Sequence, residues 1–258
     1  MHRVLFFFDG ISLFAVILAL MEAGWRVGVR RRQQDPTGAH VGLAAIDGAV
    51  FGLMGLLVAF TFSGAASRFD ARRQLIGEEA NAIGTAYLRI DLLPAETQLR
   101  LRDDFRNYLD ARLAYYNDLS SNNAAAKTEL DRSALLQGKI WSESVAGCEK
   151  IGSRATTSLI LSSLNDMIDI TTTRAVALQT HPPTVVYWGL TVLILASALL
   201  AGYGMAEARD RSWLHLLLYS AILAVAVCVI LDLEYPRFGV SRIDAADQVL
   251  MDLRNSMK

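Results

Sequence analysis

The sequence predicts an all-α membrane protein with four transmembrane helices and a helical extramembrane bundle between spans two and three. Hydrophobic residues make up 53% of the 258, and they gather in four blocks: Val4 to Gly24, Val41 to Ser63, Thr184 to Met205 and Trp213 to Leu231. Each block is close to the roughly 20 residues that a helix needs to cross about 30 Å of hydrocarbon. The long stretch between the second and third blocks is dense in charge and nearly free of β-rich runs. The charges almost cancel, at net -1, so nothing in the balance points to nucleic acid.

The first block has a thin basic start, His2 and Arg3, and Asp9 interrupts its apolar run early, so it reads as a retained span rather than a cleaved signal. The expected organisation is 1–66 for spans 1 and 2 with a basic connecting loop, 67–183 for the helical domain, 184–234 for spans 3 and 4, and 235–258 for a C-terminal tail. In the middle, "PAETQLRLRDDFRNYLDARLAYY" sets Leu99, Phe105, Leu109, Leu113 and Tyr116 on one side and Arg102, Asp103, Arg106 and Asp110 largely on the other. That spacing makes an amphipathic helix. The runs "AAAKTELDRSALLQGKIW" and "TTSLILSSLNDMIDITTTRAVALQ" continue the pattern after a turn at Ser120 to Asn123.

Basic residues give two readings of sidedness. Arg26, Arg30, Arg31 and Arg32 after the first span, with Arg209 and Arg211 between the last two, favour cytoplasmic short loops and a helical domain outside. Arg68, Arg72 and Arg73, with Arg237 and Arg242, favour the reverse.

The second span carries the clearest pattern. Gly48, Gly52, Gly55, Ala59, Ser63 and Ala66 recur at intervals of three and four, which puts them in one narrow stripe. Lipid gives no hydrophobic drive between helices, and small residues permit the backbone contact that replaces it. Gly48, Gly55, Ala59 and Ser63 are therefore a helix-packing seam, within the chain or between copies. Beside it lie Leu56 and Phe60. If the helix continues unbent past Gly64 and Gly77, then Ser67, Gln74, Glu78, Asn81, Thr85 and Arg89 fall near the azimuth of Phe60. Such a face is apolar in the bilayer and polar beyond it. Two explanations fit: the face lines water around a shared axis, or Glu78 and Asn81 pair with arginines inside the bundle.

The run "LVAFTFSGAASRFDARRQLIGEEANAIG" resembles the pore-helix region of bestrophins, homopentameric ion channels, and is more similar still to bacterial bestrophin-like membrane proteins. Bestrophins carry bulky neck residues four apart, an arginine-aromatic pair eight residues on, and an asparagine near the end of the polar helix. Leu56, Phe60, Arg68-Phe69 and Asn81 resemble these features, and a third neck position falls on Gly52, which is not bulky. The runs "LNDMIDITTTRAVALQTHPP" and "ILDLEYPRFGVSRI" share the likeness. The resemblance implies a homopentameric channel with a pore neck at Leu56 and Phe60, a vestibule at Ser67, Gln74, Glu78, Asn81 and Thr85, a bacterial inner membrane location and a cytosolic helical domain. The tryptophan-rich stretch and acidic calcium clasp of eukaryotic bestrophins are missing; Asp232 and Glu234 alone do not make one.

Intramembrane carboxylates need accounting, since each costs at least about 2.5 kcal/mol on insertion scales. Asp9 is the deepest. Asp232 and Glu234 sit at a span end beside Tyr235 and Arg237, as interfacial anchors do. Cys148 and Cys228 give no disulfide framework, and His2, His40, His181 and His215 have no metal-ligand spacing. The Gly-x-Gly of "AGYGMAEA" ends a span rather than following a strand, and neighbouring acids such as Glu78-Glu79 point apart on a helix. No enzyme, cofactor or metal site is expected. The expected partners are the bilayer, further copies of the chain and small ions. The competing expectation is a non-conducting membrane scaffold or sensor whose helical domain binds a partner.

Overall fold

The computed structural model describes residues 2–34, 43–119, 122–207, 212–236 and 244–257. Eight α-helices follow in order: α1 His2–Gln34, α2 Leu43–Arg89, α3 Ala95–Asp118, α4 Asn123–Ile151, α5 Arg154–Gln179, α6 Thr184–Gly204, α7 Trp213–Glu234 and α8 Asp244–Ser256. Among the described residues there are no strands. Among the described residues, four stretches are long and apolar enough to cross a membrane, Gly10–Gln34, Ala44–Leu92, Arg154–Met205 and Trp213–Glu234, the third taking in both α5 and α6 across a break at 180–183. At 1.5 Å per residue, the 47 residues of α2 extend about 70 Å. That is more than twice the hydrocarbon thickness of about 30 Å, so α2 must continue outside the bilayer. The Asp9 side chain, Ser120 and Ser121 of the expected turn, Arg209, Arg211, Arg237 and Arg242 lie outside the described residues.

The chain divides into two compact units. The first comprises Met1–Ser67 and His181–Ser241. Its core is Ile17, Met21, Met54, Leu190, Ile194, Ala198, Leu216 and Leu223, drawn from α1, α2, α6 and α7. Backbones make the tightest contact, between α1 and α6. A Cβ added to Gly24 would stand 2.1 Å from the Leu199 carbonyl oxygen, and one added to Gly202 would stand 2.0 Å from that of Met21. Only glycine allows this approach, which gives two lipid-embedded helices the packing that apolar side chains alone do not supply. Buried hydroxyls are satisfied locally: Ser197 Oγ donates to the Ile194 carbonyl at 2.9 Å, and Tyr219 donates to Ser197 Oγ at 3.1 Å. Glu234 is buried, with a carboxylate oxygen 2.8 Å from His181 Nδ1. His181 stacks on Tyr235.

The second unit comprises Arg68–Thr180 and Arg242–Lys258. Its helices start and stop where local chemistry dictates. Asn122 caps α4 by accepting from the Ala124 and Ala125 amides. Gly152, at φ 67°, ends α4 in the left-handed conformation that glycine favours, and Ser153 at once caps α5. The core gathers Ile76, Ile83 and Tyr87 from α2, Leu101, Phe105, Tyr108 and Leu109 from α3, Ile140 from α4, and Leu164 and Met167 from α5. The amphipathic reading of α3 needs one correction. Leu99 is 71% exposed and Leu101 takes the core position, because the buried row runs Leu101, Phe105, Tyr108, Arg112, Tyr116 at spacings of four and three. The expected tail includes a helix, α8, whose Leu250 enters this core and whose Arg254 makes a two-pronged ion pair with Asp110 at 2.7 and 3.0 Å.

The α1–α6 contact yields a direct test. Gly202→Ala forces a methyl group into the Met21 backbone, and overpacking of this kind costs about 1–3 kcal/mol. Gly189→Ala, on the same helix with no atom within 4 Å of an added Cβ, meets nothing. Thermal unfolding in detergent is expected to show a lowered Tm for the first variant and a wild-type Tm for the second.

Candidate functional site

One side of α2 is covered by the rest of the chain and the opposite side is not. In the first unit Met54, Thr61 and Ala65 face inward and are buried. Across the helix, Leu56 is 52% exposed and Phe60 is 66% exposed, and Ser67 is also exposed. The small-residue stripe shares this open side. Gly48, Gly52, Gly55, Ala59 and Ser63 are exposed, and an added Cβ at any of the three glycines would meet nothing within 4 Å. Among the described residues, then, the glycines at which an added Cβ would meet backbone of another helix include Gly24, Gly28 and Gly202, while those of the α2 seam meet nothing within 4 Å.

The second unit repeats the division. Arg72, Ile76, Glu79, Ala80, Ile83, Ala86 and Tyr87 are buried, while Gln74, Glu78, Asn81 and Thr85 are exposed. All five vestibule positions read from the sequence are thus uncovered. Arg89, read as part of the same polar face, is half-buried, and its guanidinium donates to the Leu159 carbonyl at 2.5 Å.

The alternative in which Glu78 and Asn81 pair with arginines inside the bundle is not what the structure shows. That role belongs to Glu79. Its carboxylate has no solvent exposure and accepts from Arg112 Nε at 2.7 Å, from Arg174, and from the Tyr116 hydroxyl at 3.0 Å. Arg112 also donates to the Tyr116 hydroxyl, and the Arg174 guanidinium lies 3.9 Å from the centre of the Tyr116 ring. Asp247 of α8 approaches Arg174 at 3.8 Å. Burial pushes the Tyr108 and Tyr116 phenols above their ordinary range, and the nearby Glu79 charge adds to the effect, so both stay neutral, Tyr116 as a donor to Glu79. The network joins α2, α3, α5 and α8.

Sequence reading missed this cluster although a signal was present. Arg112 lies four residues from both Tyr108 and Tyr116, on the apolar side of α3, and an arginine there requires a buried acid. Among the described residues, no group of three or more His, Cys, Asp or Glu is placed to hold a metal ion. Neither Cys148 nor Cys228 is in a disulfide.

A family model described as a bestrophin-like domain matches residues 11–247. Variants of a bacterial bestrophin homologue from Klebsiella pneumoniae, each with a single substitution, share the fold. One gives a TM-score of 0.69 at 14% identity, covering 95% of this chain and 98% of that chain. Another gives 0.68 at 17% identity with the same coverage, 95% and 98%. At these identities the likeness concerns the fold alone. No curated protein matches the sequence.

Neighbouring glutamates should therefore respond in opposite ways to the same change. Removing one partner from a buried ion pair costs about 3–5 kcal/mol. Glu79→Gln is expected to lower the Tm or abolish recovery of folded protein, whereas Glu78→Gln, at an exposed position, is expected to unfold as wild type does. Circular dichroism melts of the two variants side by side check this.

Proposed function

The chain belongs to the bestrophin-like family and is a multi-pass membrane protein; from that premise we propose that it is an ion channel assembled from several copies, five by the family resemblance. In this reading each copy turns the uncovered face of α2 toward a common axis. Leu56 and Phe60 form a hydrophobic neck, with Gly52 as a third, wider position. Ser67, Gln74, Glu78, Asn81 and Thr85 line the water-filled path beyond it. Rings of large apolar side chains gate by dewetting, since a narrow apolar passage empties of water and so excludes ions.

The observation that carries this reading is the exposure pattern along α2. Its buried positions lie on one side, and the neck and vestibule positions lie on the other. Lipid alone is a poor explanation for that open side. Lipid does not require Gly48, Gly52 and Gly55 in a row, but a second copy packing close against the helix does. The likeness to a bacterial homologue supports a bacterial inner membrane location. The permeant species is a small ion, and the reading assigns no catalytic step.

A non-conducting scaffold is the second reading. It is favoured by large apolar side chains exposed on the helical unit, Leu99 and the 77% exposed Leu135, which a binding partner would cover.

Reconstitution separates the two. The channel reading expects a mass of several copies on size-exclusion chromatography with light scattering, and current in planar bilayers. Phe60→Ala is expected to raise the conductance or open probability severalfold by wetting the neck. A monomer, or a verified oligomer that passes no current across varied voltage, pH and ions, overturns the channel and favours the scaffold.

A further inference from the structure

We propose that the membrane unit holds one phospholipid acyl chain in a crevice between α6 and α7, a binding site that stands whether or not the protein conducts. The three helices here pack unevenly. α1 lies against both α6 and α7, whereas α6 and α7 scarcely meet each other. Between them is a cavity of about 250 Å³, walled by one face of α6 from Tyr187 to Leu195 and one face of α7 from Val227 to Tyr235, together with Leu13 of α1.

The walls are chiefly aliphatic. Among the described residues, no charged side chain lines the cavity. Thr191 uses its hydroxyl donor on the Tyr187 carbonyl at 2.8 Å, within its own helix. An ion or a strongly polar solute would lose its hydration here without compensation. A hydrocarbon chain loses nothing.

Depth and direction narrow the occupant further. Tyr187 lies in the first turn of α6, and Tyr235 directly follows α7, so the two tyrosines mark the same end of both helices. Tyrosine at a span end sits at the headgroup level. Tyr235 is fixed there by stacking on His181, whose Nδ1 is 2.8 Å from the buried Glu234 carboxylate. From Tyr187 to Leu195 the helix rises about 12 Å, close to the half-thickness of about 15 Å that the chains of one leaflet occupy. The cavity therefore runs from the headgroup level toward the midplane, along the path of an acyl chain. Its volume over that length gives a cross-section of about 20 Å², room for a single methylene chain but not for a helix about 10 Å across. Thr191 and the flanking Trp188 and Val192 are exposed on the outside of the unit, so a chain enters from the surrounding lipid. Once seated it joins two helices that otherwise touch little.

The test uses purified, delipidated protein in detergent and a phosphatidylcholine with a diazirine midway along one acyl chain. Photolysis is expected to attach label that saturates at one lipid per chain, maps to 187–195 and 227–235, and is displaced by unlabelled phosphatidylcholine. Thr191→Trp fills the cavity and is expected to cut the labelling about tenfold, since excluding two buried methylenes is enough for that. Val192→Trp, at a neighbouring exposed position outside the lining, is expected to label as wild type does. Leu195→Phe fills the inner end and reads the same loss should Thr191→Trp fail to fold. Phosphatidylcholine is also expected to raise the Tm of wild type more than that of either filled variant, because a ligand that binds only the folded state stabilises it.

Label that rises without saturating and spreads over exposed positions such as Ile222 and Val225 overturns the site. So does equal labelling of wild type and both filled variants. Absence of label from the two segments overturns it as well, and is the result a side chain from a second copy seated in the cavity would give.

Discussion

A carboxylate without solvent contact must be met by positive charge, and in this protein that requirement sets the rotation of its longest helix. Glu79 is held by Arg112 from α3 and Arg174 from α5, with the Tyr116 hydroxyl completing its shell. Desolvating three charged groups costs several kcal/mol per ion, so the arrangement persists only while every partner is in place. Once Glu79 is pinned inward, the orientation of its neighbours on α2 within the second unit is set with it. Successive helical residues are 100° apart, and Glu78, Asn81 and Thr85 are carried to the outside. Ile76 and Ile83, a turn to either side, enforce the same orientation through burial.

The membrane unit reaches a comparable result by different physics. Its helices have no water to escape from, so close backbone approach substitutes for hydrophobic drive. Gly24 and Gly202 use that approach between α1 and α6. Gly48, Gly52 and Gly55 on α2 have the same chemistry but nothing against them within the chain. Among the described residues, then, one set of glycines is occupied by a neighbouring helix and the other is open.

Much of this was legible in the sequence because the bilayer simplifies the code. Four apolar blocks of the right length define the spans, and the three-and-four spacing of Gly48, Gly55, Ala59 and Ser63 identifies a face of α2 without any tertiary information. The polar positions Gln74, Glu78, Asn81 and Thr85 follow by helical periodicity, since Gly64 and Gly77 do not interrupt the helix. What escaped was set by partners distant in the chain. Choosing between Glu78 and Glu79 as the buried acid requires knowing that Arg112 and Arg174 converge on one of them, and they lie on α3 and α5. Similarly, the partner of Glu234 at the end of α7 is His181, 53 residues upstream. Helix α8 was read as a tail because a short amphipathic stretch after a span shows no partner in sequence, whereas Asp110 and the core around Leu250 lie far upstream.

The most direct measurement is an experimental structure of the assembled protein in a lipid nanodisc, read for which side of α2 meets the symmetry axis. The account predicts Phe60 and Glu78 of every copy turned toward a shared, water-containing centre, with Glu79 facing into its own helical unit. A single copy in the disc, or an assembly in which Phe60 meets lipid and another helix lines the axis, would contradict it.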